Sequence, residues 1–317
     1  FGSSVPMAQN GDSGEHDDGL SEEGRKPISL VIDKAEAPLE RFQIKEYPVS
    51  QPCRRDLKGC DAFVIDGVLA QEECRELLTA ADGLWSFWDT AERPQHVDFR
   101  NAYTVEVTHQ ELADRIWSRV APLVNPEVAI LDDNDERHEV DIEGSWQPYG
   151  VNPKLLLSRY TDGGHFSPHT DGTTVVDFNR RTFYSCVLFL NDSPWGGETR
   201  VYSNEQIGKE LKSDAEGRLT GDPALVLDEV PPAPGRMVLF YHRLMHEGAP
   251  AAEKYIIRTD ILYRREPEIC TAPEDVEAFA MYQDAQLRAE HGECEEAATL
   301  FRRAFKRSPA LAAVYKM

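Results

Sequence analysis

The sequence predicts a mainly β fold with flanking helices: a jelly-roll barrel over about residues 150–265, followed by a helical hairpin over residues 268–317. Three observations lead to it. From Leu155 to Tyr263, apolar and β-branched runs alternate with turns rich in Gly, Pro and Asp, the pattern of strands rather than helices. Two histidine-bearing segments, separated by the 75 positions from Asp171 to His246, make chemical sense only side by side, and a jelly roll returns a distant strand to such a neighbour. After Pro273 the apolar spacing becomes helical.

In chain order, residues 1–27 have the acidic, glycine-rich composition of a disordered tail, and a folded region is expected over 28–267. Ala62 to Leu69 reads as a strand entering a helix near Gln71 to Asp82, whose Cys74, Leu77, Leu78 and Ala81 share a face. A second helix is expected from about His109 to Leu123, with Thr108 and Glu111 as its capping box and Leu112, Ile116, Val120 and Leu123 as its apolar stripe. Thr182 to Asn191 is a strand, and Ser213 to Asp222 a polar loop. Pro231, Pro232, Pro234 and Gly235 turn the chain into a buried strand ending at Tyr241, with His246-Glu247-Gly248 read as the next turn and Lys254 to Tyr263 as the next strand. Beyond it, Gly292, Ala297, Ala304 and Pro309 resemble the turn, contact and stop positions of one tetratricopeptide hairpin, with Val276, Phe279, Leu287, Leu300, Phe301 and Phe305 as its apolar positions. One copy cannot form a solenoid, so docking on the barrel domain is expected, with self-association as the alternative.

His169 and Asp171, two apart, point to the same side of an extended chain. Pro168 favours that extended entry and Gly172 permits a tight exit. With His246 they supply the three ligands of a 2-His-1-carboxylate face, which leaves open positions on a non-haem Fe(II). A closed structural zinc site would call for a cysteine spacing that the chain lacks. His165 and His242 each precede a proposed ligand by four positions, roughly 13 Å along a strand, and are read as structural. On the strand after His246, the two-residue period puts Lys254, Ile256, Arg258 and Asp260 on one face. Two cations facing a barrel interior require an anion.

The lead-in Arg159 to Pro168, the His169-Thr170-Asp171 motif, the turn Trp195-Gly196-Gly197-Glu198-Thr199, His246 and the pair Lys254-Tyr255 occur in the order seen in a known family. Over roughly residues 60–265 the chain resembles the Fe(II)/2-oxoglutarate-dependent dioxygenases, specifically their prolyl-4-hydroxylase-like branch, whose barrel is a cupin-like double-stranded β-helix. The resemblance implies that His169, Asp171 and His246 hold iron and that a basic residue shortly after the second histidine grips the far carboxylate of 2-oxoglutarate. Lys254 and Arg258, eight and twelve positions after His246, both qualify. Tyr160 matches a tyrosine lining the cosubstrate pocket, whereas Phe189 stands where relatives often carry a second one, removing a hydroxyl. Fe(II), 2-oxoglutarate, O2 and, as an accessory, ascorbate are the implied cofactors. The implied reaction is hydroxylation of an unactivated C–H bond with decarboxylation of 2-oxoglutarate to succinate and CO2, on a peptidyl proline or a free small metabolite. Substrate contacts are expected from Thr90 to Asn101 and from Gly172 to Arg181, which carry Arg100, Asp177, Arg180 and Arg181. A non-catalytic interaction protein on the same barrel, or a cupin that binds metal without 2-oxoglutarate, are the rival readings.

A net charge of −22 repels phosphate backbones, so nucleic acid is not an expected partner, while a basic protein segment or a small molecule is. No stretch approaches the ~20 apolar residues of a membrane span, and Phe1 to Gly24 has no apolar core of a secretory signal. An intracellular protein, cytoplasmic or nuclear, is the expectation. The six cysteines include no C-x-x-C and are read as free thiols in a reducing compartment, with pairing of Cys53 and Cys60 under oxidation as the alternative.

Overall fold

The structure is a computed structural model that describes residues 35–89 and 96–317. The acidic tail at 1–27 and the Thr90–Gln95 part of the expected substrate loop lie outside the described residues. Two compact units emerge, one from the described residues up to Leu123 with Val151–Thr173 and Tyr184–Asp260, the other from Val124–Gly150, Thr174–Phe183 and Ile261–Met317.

In the first unit the main elements are β1 (Cys53–Asp56), β2 (Ala62–Asp66), α1 (Gln71–Ala81), β3 (Tyr103–Thr108), α2 (Gln110–Val120), β4 (Lys154–His169), β5 (Arg180–Phe189), β6 (Thr199–Tyr202), β7 (Val226–Val230), β8 (Met237–Tyr241) and β9 (His246–Glu266), with the first residues of β5 and the last of β9 falling in the second unit. The strands pair in the order β1-β2-β8-β5-β9-β4-β3. The start of β9 also pairs with β6, which pairs with β7, so one long strand serves both walls of the expected jelly roll. Register shifts in the β9–β4 ladder between His246 and Glu253 mark where it bends from one wall to the other. Between the walls Tyr160, Val187, Phe189, Val201, Phe240 and Ile256 form a core.

Local chemistry departs from the sequence reading at several points. His109, not Thr108, caps α2: its Nδ1 accepts from the Leu112 N–H at 3.2 Å, while the Thr108 hydroxyl donates to Glu36 at 2.9 Å. An imidazole at the N-cap supplies the acceptor that the capping box needed, so the box is not formed. In α1, Cys74, Leu77 and Ala81 are buried as expected, but so is Glu73. It accepts from Arg119 at 2.7 Å and Arg115 at 3.2 Å, tying α1 to α2. His246 opens β9 rather than sitting in a turn; residues 242–245 make the turn.

In the second unit α3 (Pro273–Glu290), α4 (Cys294–Arg307) and α5 (Pro309–Val314) follow the strands. Gly292 adopts φ +82 at the α3–α4 turn, a conformation glycine enters without steric cost. Ala278, Phe279, Ala304 and Leu311 bury against Phe178, so the hairpin docks on the turn between Val175 and Arg181. Val276 and Leu287, expected among its apolar contacts, are 59% and 52% exposed. The buried stripe of α3 runs through Asp275, Ala278, Phe279, Tyr282 and Ala285, and the 3.6-residue period carries both of them off it. Pro309 starts α5 instead of merely stopping α4, where its missing N–H is harmless. All six cysteines are free. Among the described residues no helix is long and apolar enough to cross a membrane.

Candidate functional site

Register brings the two histidines together. His169, the last residue of β4, pairs directly with His246, the first of β9, and directly paired residues project from the same face. Their rings lie 4.2 Å apart, centroid to centroid. Asp171 follows two residues later, its N–H donating to the His242 carbonyl at 2.8 Å. One ligand atom from each of His169, Asp171 and His246 lies within 4.8 Å of the others, the triad named by the sequence.

The tautomers suit metal binding. Nδ1 of His169 meets the Ser167 carbonyl at 2.7 Å and Nδ1 of His246 meets that of Leu244 at 2.9 Å. A carbonyl only accepts, so each Nδ1 carries the proton and each Nε2 is left bare. Those Nε2 atoms face the Asp171 carboxylate at 3.7 Å and 3.8 Å. Burial holds both imidazoles below their ordinary pKa, and His246 lowers His169 further, so both are neutral donors at neutral pH. Burial alone would raise Asp171, but Arg258 and the two imidazoles outweigh it and hold the carboxyl well below the usual range. Phe166 stacks on the His169 ring at 3.5 Å.

Two nitrogens and a carboxylate, deprotonated and converging with their protonated sides turned away, match the donor set of a mononuclear non-haem iron site. Oδ2 of Asp171 is buried, with the Arg258 guanidinium as its charged neighbour, while Oδ1 faces Nε2 of His169. Its ion pair with the Arg258 guanidinium at 3.1 Å leaves the Nε2 side of the carboxylate open.

The two candidate anchor cations differ. Arg258 pairs with Asp171 and also with Asp260, and donates to the Ser185 hydroxyl at 2.9 Å. Lys254 is 2% exposed and has no ion pair among the described residues; its Nζ sits over the Tyr160 ring at 4.5 Å. Burial pushes it down to about 8. The Gly-Gly turn explains how this end of the pocket closes: a Cβ on Gly196 would lie 2.1 Å from the Pro250 carbonyl oxygen, and one on Gly197 3.3 Å from Lys254 Cδ. Gly248 likewise leaves space, since a Cβ there would come to 3.1 Å from Lys254 Nζ.

Tyr160 is buried, paired in register with Lys254, and burial raises its phenol. Phe189 lies in the same core cluster, without a hydroxyl to offer. Arg100 reaches the pocket from the described end of the expected substrate loop, its guanidinium 4.5 Å over the Phe166 ring and its charge acting on Tyr160 and Asp171. Arg180 and Arg181 do not join the site: they pair with Asp177 and Asp141 in the second unit. Phe166 and Ser185 escaped the sequence reading, and only the stacking and the cross-strand bond reveal them.

A buried face of this kind is the donor set that a mononuclear metal centre of the non-haem oxygenase type would use. Residues 155–259, which span the triad, Tyr160, Lys254 and Arg258, match the family described as the 2OG-Fe(II) oxygenase superfamily, so this segment is a 2-oxoglutarate-dependent dioxygenase domain. Fe(II), 2-oxoglutarate and O2 are the cofactors that this match implies. Among solved structures, the chain is similar to a viral collagen prolyl hydroxylase from Paramecium Bursaria Chlorella virus-1 (18% identity, covering 66% of this chain and 98% of that one, TM-score 0.37). It is also similar to a Trichoplax adhaerens prolyl hydroxylase in complex with a hypoxia inducible factor peptide fragment (17%, 66% and 85%, TM-score 0.40). A Pseudomonas putida prolyl-4-hydroxylase is a third (16%, 65% and 94%, TM-score 0.37). No curated protein matches the chain by sequence.

Proposed function

We propose that the protein is a hydroxylase of the prolyl-4-hydroxylase-like kind, acting on an unactivated C–H bond with decarboxylation of 2-oxoglutarate to succinate and CO2. His169, Asp171 and His246 would hold the iron, which when bound supplies the oxidising chemistry with 2-oxoglutarate and O2. Lys254 takes the far carboxylate of the cosubstrate, and Tyr160 lines the same chamber. The observation that carries this reading is a buried ammonium with no ion pair among the described residues, over the ring of Tyr160 and on the same strand, β9, that opens with a ligand of the metal-ready triad. An unpaired buried charge is costly unless an anion arrives, and a dicarboxylate brings one. Arg258 is already neutralised by Asp171 and Asp260, so its role is to position the metal-binding carboxylate. The core around the chamber, Val187, Phe240 and Ile256, excludes water and strengthens each charge–charge contact within it.

The test is succinate release from 2-oxoglutarate under aerobic Fe(II), with His169→Ala and Asp171→Ala as comparisons. Release by the wild-type chain that falls to background in both variants is expected, and equal release by all three overturns the assignment. Mass spectrometry for the gain of one oxygen atom, run on peptide and amino-acid panels, separates a peptidyl substrate from a free metabolite.

A further inference from the structure

The first unit carries a half-open cavity of about 550 Å³ whose lining does not include the triad. It adjoins the metal centre nonetheless: Phe166, stacked on His169, lines it, and so does Glu247, the neighbour of His246. Register explains the arrangement. On β6 and β9, Val201 pairs with His246 and Arg200 with Glu247, and successive residues face opposite ways, so Arg200 and Glu247 turn from the metal face into this cavity.

Its charge is unbalanced. Arg200 is shared by two carboxylates, Glu229 at 2.8 Å and Glu247 at 3.0 Å. Arg218 is likewise shared, by Asp214 at 2.7 Å and Glu216 at 2.8 Å. Glu198, also in the lining, has no ion pair among the described residues; with Glu247 it acts on the Lys254 ammonium behind Gly248, so four lining carboxylates, Glu198, Asp214, Glu229 and Glu247, still outnumber Arg200, Arg218 and Lys254. A second and independent observation concerns His165, which lines the same cavity and is 4% exposed. Its Nε2 meets the Asp98 carbonyl at 3.0 Å and therefore carries the proton, while its Nδ1 has no hydrogen-bond partner. A buried bare acceptor is costly until a donor reaches it. Trp195, 55% exposed, adds an aromatic face to the lining.

Surplus carboxylate, a bare imidazole nitrogen and an indole face share one preference: a cation rich in N–H donors. Phosphate or carboxylate ligands meet repulsion here. We propose that this cavity is a subsite for a basic side chain, lysine or arginine, of a peptide or protein substrate, holding the substrate chain so that a nearby residue reaches the metal face. The second half of that statement rests on the oxygenase reading; the binding of the basic side chain does not. The net charge of −22 acts in the same direction, steering basic segments toward the protein.

The test is equilibrium binding by fluorescence anisotropy, using the full chain free of metal. The probes are fluorescein-labelled glycine–serine peptides with a central proline and a lysine, or norleucine in its place, at each flanking position in turn. Lysine at one or two positions should bind about tenfold tighter than norleucine, the scale of a desolvated cation–π contact with charge-assisted hydrogen bonds. Glu198→Gln should remove most of that preference, and Glu198→Lys should turn it toward glutamate at the same position. Trp195→Ala, at an exposed residue whose loss the fold tolerates, should weaken lysine peptides severalfold and leave norleucine peptides unchanged. Equal binding of lysine and norleucine peptides at every position overturns the proposal, as does a lysine preference that survives both Glu198 variants. Succinate release is measured separately, so a lysine preference in a chain that releases none would count against the oxygenase reading alone.

Discussion

Two stretches of β9 carry buried cations on the same side of the strand, four residues apart, and they are satisfied in opposite ways. Around Arg258, Asp171, Asp260 and Ser185 supply two carboxylates and a hydroxyl. Around Lys254 there are an aromatic ring and two glycines, with the charges of Glu198 and Glu247 felt at a distance but neither in an ion pair with it. A paired cation in the interior is part of the scaffold, whereas an unpaired one is a receptor for charge that comes from outside. On the proposed reading, the strand separates holding the metal ligand from holding the cosubstrate, although both tasks use the same kind of residue.

The comparison breaks most readily at Lys254. Lys254→Ala is expected to lower kcat/KM for 2-oxoglutarate on the order of 100-fold, the upper range for a charge-assisted hydrogen bond, with Fe(II) affinity unchanged. Steady-state kinetics and calorimetric metal titration check the two halves, and a normal KM in this variant would move the anchor to Arg258. Arg258→Gln should do the reverse: about a tenfold loss of Fe(II) affinity, as for other partners of metal ligands, with KM for 2-oxoglutarate little altered. A smaller effect sharpens the contrast through pH. Lys254 is held down to about 8, so its charge is present below that pH and lost as pH rises through it. Between pH 7 and pH 9, kcat/KM for 2-oxoglutarate should fall about tenfold, since this ratio reports the free enzyme's ionisations. Lys254→Arg should flatten the profile, because guanidinium stays charged. A flat wild-type profile would contradict the assignment.

The triad was legible because its determinants are local. A two-residue offset on an extended chain fixes His169 against Asp171, and a strand beginning at His246 needs only one register to complete the set. The jelly roll and the C-terminal helices were legible for the same reason, through periodicity. The choice between Lys254 and Arg258 was not, because alternation puts both on one face and the difference arises from partners far away in sequence, Asp171 and Ser185. Glu73 was hidden similarly: within α1 it looks like a surface acid, and only Arg115 and Arg119 of α2 make its burial tolerable. For α3, composition suggested Val276 and Leu287 as contacts, but alanines and aromatics fill the seam where helices approach closely. The second cavity could not be anticipated, since its lining comes from four separate stretches of chain.

Each histidine of the triad is pinned by a carbonyl only two residues earlier in its own segment. The imidazoles are thus aimed before any ion arrives, and little rearrangement accompanies loading. A face so preset has scant means of telling ferrous iron from its first-row neighbours, several of which bind nitrogen and oxygen donors more tightly. Nickel, cobalt or zinc should therefore compete effectively, making the occupant a matter of supply during synthesis and purification.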